Sequence, residues 1–404
     1  MAESNPSPHI FLSAGEASGD YYGAQIITEL RARMPQLTCF GLGGLEMAAA
    51  GLERIVHAED VAHMGITEVI CHMPHIYGEY RRLVTSIKKR RPDIAILIDF
   101  PDVNFRLART LRRLNIPVVY FVSPQLWAWK RRRLRWVQQR VSRMMVIFPF
   151  EERFYRARNV DAVFVGHPLA QLPLPDINRA EYAAKHILDP AKNWIALLPG
   201  SRRKEVQLNL PEMLHAASLL NTQGRYEFII PVASTVNTSY ILNFLQDPIY
   251  YSSTKPRVTL VDDAREALHH ARASVVASGT ATVQATVIGN PFVVVYRVSP
   301  LTFVLARKLI RYPHEIPAEK DRDGNLPIAM VNLVAGKRIV PELLQTRFTG
   351  ANVAKALIPL LADGPQREQM LSDLAEAHFK LLPPSGSGSI AQVCDAVESL
   401  LSYP

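Results

Sequence analysis

The run Ile94-Ala-Ile-Leu-Ile98 contains no polar residue that could face water. A strand built from it must therefore be covered on both faces, which is the situation of a parallel sheet flanked by helices. Similar apolar runs stand at His9–Ser13, Leu37–Gly41, Pro117–Val122, Met144–Phe148 and Ala162–Val165, with helical stretches between them. The plan then starts again at Trp194–Leu198, Glu227–Pro231, Arg257–Val261, Ala273–Ala277 and Phe292–Tyr296. Helices are predicted near Arg202–Leu220, Val236–Gln246, Arg265–His270 and Thr280–Ile288. Such alternation predicts α/β parallel sheets with right-handed crossovers. Two series in 404 residues predict two doubly wound domains, with a cleft between them.

Ligands of open α/β sheets bind beyond the carboxyl ends of the strands, so the segments following the strands are the candidate site. Leu198-Pro-Gly-Ser-Arg202 leaves a strand through Gly200, and Ser201 is placed to cap a helix starting at Arg202. Free N–H groups at a helix start attract anions, and Arg202 adds a planar fork of donors suited to phosphate. Ser278-Gly279-Thr280-Ala-Thr282 repeats the arrangement later in the same half. In the first half, Gly15, Glu16, Ser18, Gly19 and Asp20 lie between a strand and a helix, small enough for close backbone approach, but the spacing is not that of a dinucleotide fingerprint. Asp99 stands at the end of the Ile94–Ile98 strand, where a carboxylate can serve as a general base. The alternative, that Asp99 or Asp102 caps the next helix, is open at this level.

Lys and Arg exceed Asp and Glu by nine, with a pI near 9.4. This favours an anionic partner: nucleic acid, a phosphorylated metabolite or an anionic membrane surface. Cys39, Cys71 and Cys394 are scattered without metal-ligand spacing, which argues for a reduced protein without structural zinc. Met1–Pro8 reads as a frayed tail and not as a signal peptide. Ala273–Tyr296 carries no charge, but its Ser, Thr, Gly, Asn and Pro content makes it a strand–loop–helix–strand unit and not a membrane span. The aromatics of Trp127-Ala-Trp129 precede Lys130, Arg131, Arg132 and Arg133, but inside an α/β repeat they make a poor platform for bases. Between Met64 and Tyr77, the residues Met64, Ile66, Val69, Ile70, Met73, Ile76 and Tyr77 are loosely helically spaced, and a basic helix Arg81–Arg91 follows. This is either an ordinary core-facing helix or an amphipathic surface that rests on lipid.

Taken in order, Ala14-Gly-Glu-Ala-Ser-Gly-Asp20, Met64-Gly-Ile-Thr-Glu-Val69, Ile98-Asp-Phe-Pro-Asp102, Val122-Ser-Pro-Gln-Leu-Trp-Ala-Trp129, Leu198-Pro-Gly-Ser-Arg202, Ser278-Gly-Thr-Ala-Thr282 and Asn332-Leu-Val-Ala-Gly336 resemble the lipid-A-disaccharide synthases across nearly the whole chain. The resemblance implies the GT-B fold: Rossmann-like domains at 1–170 and 171–365 facing an interdomain cleft, and C-terminal helices at 366–404 that pack back on the first domain or on a partner subunit. It implies transfer from UDP-2,3-diacylglucosamine to 2,3-diacylglucosamine 1-phosphate, without metal or other cofactor, at the inner face of the inner membrane. Under it, Asp99 is the base and Arg202 the main cation for the departing UDP. Gly200, Ser201, Ser278, Gly279, Thr280, Gln284 and Asn332 complete the donor site, Gly15 to Asp20 serve the acceptor, and a homodimer is allowed. The chain departs from the family pattern at Gln284, where Glu is usual, at Arg203-Lys204, where small residues are usual, and at Gln171, where Asp is usual. The competing expectations are a UDP-N-acetylglucosamine 2-epimerase on the same plan and a non-enzymatic basic protein that binds nucleic acid.

Overall fold

The computed structural model describes residues 7–62, 73–221, 224–251 and 255–402. They form two compact units. The first comprises residues up to Pro168, then Arg311–Glu315, and everything from Leu382 onward; the second comprises Leu169–Ile310 and Ile316–Leu381.

In the first unit the strands are β1 (His9–Ala14), β2 (Thr38–Gly43), β3 (Glu53–His57), β4 (Ile94–Ile98), β5 (Val118–Phe121), β6 (Arg143–Val146) and β7 (Ala162–Phe164). They make one parallel sheet in the order β3-β2-β1-β4-β5-β6-β7. Its helices are α1 (Ala17–Arg33), α2 (Leu45–Ala49), α3 (Glu59–Ala62), α4 (Met73–Arg90), α5 (Pro101–Arg113), α6 (Leu134–Arg140) and α7 (Pro149–Arg156). The apolar run that anchored the sequence reading is β4, and all five of its residues are buried.

The second unit contains α8 (Arg179–His186), β8 (Asn193–Leu198), α9 (Arg203–Leu220), β9 (Tyr226–Pro231), α10 (Thr238–Gln246), β10 (Val258–Val261), α11 (Ala264–His270), β11 (Ala273–Ala277), α12 (Thr280–Ile288), β12 (Phe292–Tyr296), α13 (Pro300–Leu309), α14 (Met330–Ala335), β13 (Glu342–Leu344), α15 (Gly350–Leu361) and α16 (Pro365–Leu381). Its sheet is also parallel, ordered β10-β9-β8-β11-β12-β13. The uncharged Ala273–Tyr296 segment is β11, α12 and β12, as its composition predicts.

Three features depart from the linear reading. The edge strands β3 and β13 are additional. The expected C-terminal block 366–404 is divided, because α16 stays with the second unit while α17 (Ser389–Leu401) returns to the first. There α17 packs on α1, with Arg33 Nη1 paired to Asp395 Oδ1 at 2.6 Å. The short segment 311–315 also belongs to the first unit: Arg158 Nη1 meets Glu315 Oε1 at 2.7 Å, and Tyr312 packs on Trp127 with ring centroids 5.4 Å apart.

Each sheet reverses its strand order once, between β1 and β4 in the first unit and between β8 and β11 in the second. β1 pairs with β4 through Ala14 and Ile98, and β8 pairs with β11 through Leu198 and Val276. The chain leaves in opposite directions at these points and opens a crevice beyond the strand ends.

Candidate active site

At the first crevice the turn after β1 (Gly15 and Glu16) adjoins the turn after β4 (Asp99 and Phe100). A Cβ on Gly15 would lie 2.4 Å from the Phe100 ring, so that ring demands glycine. Asp99 (φ 44°) and Phe100 (φ 47°) both hold left-handed backbone, as does Val122 (φ 62°) after β5. For residues with a Cβ, and above all a β-branched one, such conformations cost about 1–3 kcal/mol each and persist only where the surroundings impose them.

The surroundings at Asp99 are a buried polar bracket. The Asp99 carbonyl accepts from Tyr120 Oη at 2.6 Å and from Asn104 Nδ2 at 2.7 Å, and its N–H donates to the Phe121 carbonyl at 2.9 Å. Asn104, fully buried near the start of α5, is itself held by Ser13 Oγ, which donates to its Oδ1 at 2.6 Å. The backbone of Asp99 is thus tied to β1, β5 and α5, which fixes the direction of its side chain. Burial, and secondarily the negative charge of Glu16, raise the Asp99 pKa from 3.8 to about 6. A carboxylate poised there is strong enough to take a proton near neutrality and remains ionised at pH 7. Neither Asn104 nor Tyr120 was singled out from sequence; the signal, an Asn in the first turn of the helix after Asp99, is visible only once β1 and β5 are placed beside it.

The rest of the glycine loop divides. Glu16 and Ser18 are exposed at the crevice, whereas Gly19 serves packing: a Cβ there would lie 3.3 Å from Ala14 Cβ. Asp20 has a different task from the one expected of it. Its carboxylate accepts from the N–H groups of Gly44 (2.7 Å), Glu46 (3.0 Å) and Met47 (3.2 Å), so it caps α2. Asp102 pairs with Arg133 at 2.5 Å. Of the Trp127–Trp129 pair, Trp127 is buried and gives its indole N–H to Glu151 Oε1 at 3.1 Å, so it cannot stack a base; Trp129 is exposed with Lys130 over its ring. Glu151 also accepts from Ser123 Oγ at 2.9 Å, and full burial raises its pKa to about 7. Of the apolar set proposed to meet lipid, Met64, Ile66, Val69 and Ile70 lie outside the described residues. Met73 begins α4, Ile76 on that helix is half-buried and Tyr77 is exposed.

At the second crevice the loops after β8 and β11 stand side by side, which sequence spacing alone does not show. Gly200 has φ 121°, and a Cβ there would strike Glu205 Oε2 at 2.5 Å. Helix α9 begins at Arg203, one residue later than expected, and Ser201 does not cap it. Instead Glu205 reaches back, and its Oε2 accepts from the N–H groups of Ser201 (3.0 Å) and Arg202 (3.3 Å). Its Oε1 lies 3.3 Å from Arg202 Nη1, and the Arg202 side chain is 74% exposed. Tyr296, at the end of β12, feels both charges: burial and Glu205 raise its pKa while Arg202 opposes them. Beside this, Gly279 and Thr280 are exposed at the start of α12, Ser278 and Gln284 are half-buried, and no side chain caps α12.

Asn332 is engaged within the second unit. It is 1% exposed and every polar atom is used: Oδ1 accepts from the N–H groups of Ile339 (2.8 Å) and Val340 (3.0 Å), and Nδ2 donates to Val340 O (3.1 Å) and Glu342 Oε1 (2.8 Å). It ties α14 to the approach of β13 and has nothing left for a nucleotide. Among the described residues no group of three or more His, Cys, Asp or Glu side chains is arranged to hold a metal ion, and no helix is long and apolar enough to cross a membrane.

A family model described as lipid-A-disaccharide synthetase matches residues 10–387. The chain belongs to the lipid-A-disaccharide synthase family. It is 54% identical to the lipid-A-disaccharide synthase of Acidobacterium capsulatum, covering 98% of this chain and 97% of that one. It is 48% identical to that of Koribacter versatilis, covering 97% and 98%. Among solved structures it resembles CalG4, the calicheamicin glycosyltransferase (16% identity, 98% and 100% covered, TM-score 0.60), and the S. aureus MnaA–UDP co-structure (11% identity, 98% of each covered, TM-score 0.62). Those likenesses establish the fold, GT-B with its two Rossmann-like units, and no more. A Listeria monocytogenes protein titled putative UDP-N-acetylglucosamine 2-epimerase fits as well (11% identity, 98% of each covered, TM-score 0.60). Sequence kinship decides between the two chemistries: membership of the synthase family makes this a hexosyltransferase of lipid A biosynthesis.

Proposed function

We propose that the enzyme joins UDP-2,3-diacylglucosamine to 2,3-diacylglucosamine 1-phosphate, giving a β-1′,6-linked tetraacyldisaccharide 1-phosphate and UDP. The observation that carries this reading is Asp99, a half-buried carboxylate with a raised pKa, held in a strained turn at the first unit's switch point. In the proposed step the Asp99 carboxylate takes the proton of the acceptor's 6-hydroxyl. That oxygen attacks the anomeric carbon as the bond to the UDP oxygen breaks, which inverts the anomeric centre. The charge left on UDP is met by the Arg202 guanidinium and by the N–H groups of Gly279 and Thr280, those of Ser201 and Ser278 being held by Glu205 and Val295. Gln284 stands where a ribose contact is expected, as donor or acceptor of one hydrogen bond. Glu16 and Ser18 line the acceptor side.

On this reading the charge is handled by protein groups, without a metal or other cofactor. The acyl chains of both substrates place the enzyme at the inner face of the inner membrane, as a peripheral protein that also forms a homodimer. The test is incubation with both substrates in detergent, following UDP release and the disaccharide by mass spectrometry. Stoichiometric UDP and a β-linked disaccharide are expected; UDP-dependent epimerisation of the donor, or no product, would overturn the reading.

A further inference from the structure

Helix α13 (Pro300–Leu309) has no buried residue. Phe303, Ala306 and Ile310, spaced along one helix face, are half-buried and mark its inner side. The outer side carries Leu301 (80% exposed), Val304 (52%), Leu305 (54%) and Leu309 (57%). Local devices hold the helix: the Ser299 hydroxyl accepts the Thr302 N–H at 3.2 Å, and Pro300 occupies the first turn. A single exposed leucine is ordinary, but a continuous aliphatic row on a helix needs a partner.

Two further observations say which partner. Lys308 falls within the row, Arg307 lies at its edge, and the exposed Arg311 follows the helix. A long basic side chain among leucines suits a boundary where the aliphatic stem meets acyl chains and the ammonium reaches phosphate. The position also fits. α13 follows the end of β12, so it starts from the same carboxyl end of the second sheet's strands as the Gly200 and Ser278 loops.

We propose that the outer face of α13 is a lipid-contact surface, lying in the headgroup layer of an anionic bilayer and set apart in sequence from the Met64–Tyr77 segment. Leu301, Val304, Leu305 and Leu309 enter the acyl boundary, and Arg307 and Lys308 meet lipid phosphates, each cation strengthening binding about fivefold at low salt. This goes beyond the transfer reading. Its test contains no sugar substrate, so either claim can fail without the other.

The experiment uses full-length L305W, read against the unsubstituted protein, with vesicles of phosphatidylglycerol and phosphatidylcholine in equal parts. A blue shift and quenching by acyl-brominated lipid are expected, with much weaker effects on pure phosphatidylcholine vesicles. In L305W, adding Arg307→Gln and Lys308→Gln should weaken binding about 25-fold, and the triple variant L301S/V304S/L309S should reduce both signals. All substituted residues are exposed, and an unchanged melting temperature would verify folding. Absence of shift and quenching while the protein cosediments with the vesicles would place attachment elsewhere and overturn the proposal. Emission already blue-shifted without vesicles would show that protein covers this face, and would overturn it equally.

Discussion

Replacing Asp99 by Asn should inactivate the enzyme and stabilise it. Asn tolerates left-handed backbone at least as well as Asp, so the turn and its bracket from Asn104 and Tyr120 should survive. Only the charge is removed. A carboxyl whose pKa rises from 3.8 to about 6 on folding costs about 3 kcal/mol of stability once ionised, at about 1.4 kcal/mol per decade. The cost is absent well below pH 3.8, where folded and unfolded chains both hold the proton. It grows as pH rises between 3.8 and about 6, and is complete above that. At pH 7, D99N should therefore melt higher than the wild type, by about 6–12 °C if the first unit melts as one cooperative block. The difference should shrink toward zero near pH 4. Turnover should fall about a hundredfold to ten-thousandfold, the usual worth of a general base. The wild-type kcat/KM profile should fall below pH ~6, a limb that D99N should lack. Differential scanning fluorimetry across pH and a coupled UDP-release assay would measure both. Near-normal turnover in D99N would remove Asp99 from the chemistry. Lost turnover with no pH-dependent gain in stability would show that the carboxylate is not held at a desolvation cost, and the argument from its environment would fail.

Glu205→Gln keeps an oxygen to cap α9 but removes the charge beside Arg202; UDP should bind about threefold to tenfold more tightly by calorimetry, and weaker binding would instead make Glu205 a brace that Arg202 requires. Asn332→Ala should lower the stability of the second unit by about 3 kcal/mol, since it leaves the buried N–H groups of Ile339 and Val340 without an acceptor. UDP affinity of the folded protein should be unchanged, and a loss of affinity without a loss of melting temperature would return Asn332 to the nucleotide site.

The candidate site was legible where chemistry and local pattern coincide. Asp99 stands at the end of a wholly apolar strand, and the glycine turns after β8 and β11 follow runs that can only be buried. Asp20 and Asn332 show where local pattern runs out: a small polar residue looks the same in sequence whether it braces backbone or binds a ligand. Which it does depends on the backbone N–H groups that a distant segment brings to it, Gly44 to Met47 in one case and Ile339 and Val340 in the other. Glu205 is similar. It stands four residues after Ser201, one more than a capping box allows, and only the turn at Gly200 shows its carboxylate occupying the helix start itself.

The edge strands β3 and β13 escaped because an edge strand is covered by only one neighbour. Glu53–His57 and Glu342–Leu344 are short and mixed in polarity, and lack the solid apolar run of a central strand. The alternation of apolar runs and helices, with its right-handed crossovers, determined by itself that this chain makes two parallel α/β sheets. It determined too that the site would lie at the carboxyl ends of their strands, because burial on both faces permits no other use of such runs. Tertiary structure alone decided that β1 adjoins β4 and β8 adjoins β11, that residues 311–315 and 382–404 return to the first unit, and that Ser13, Asn104 and Tyr120 converge on the carbonyl of Asp99. Those are pairings of groups far apart in sequence, and their hydrogen bonds hold the left-handed backbone of Asp99 in place.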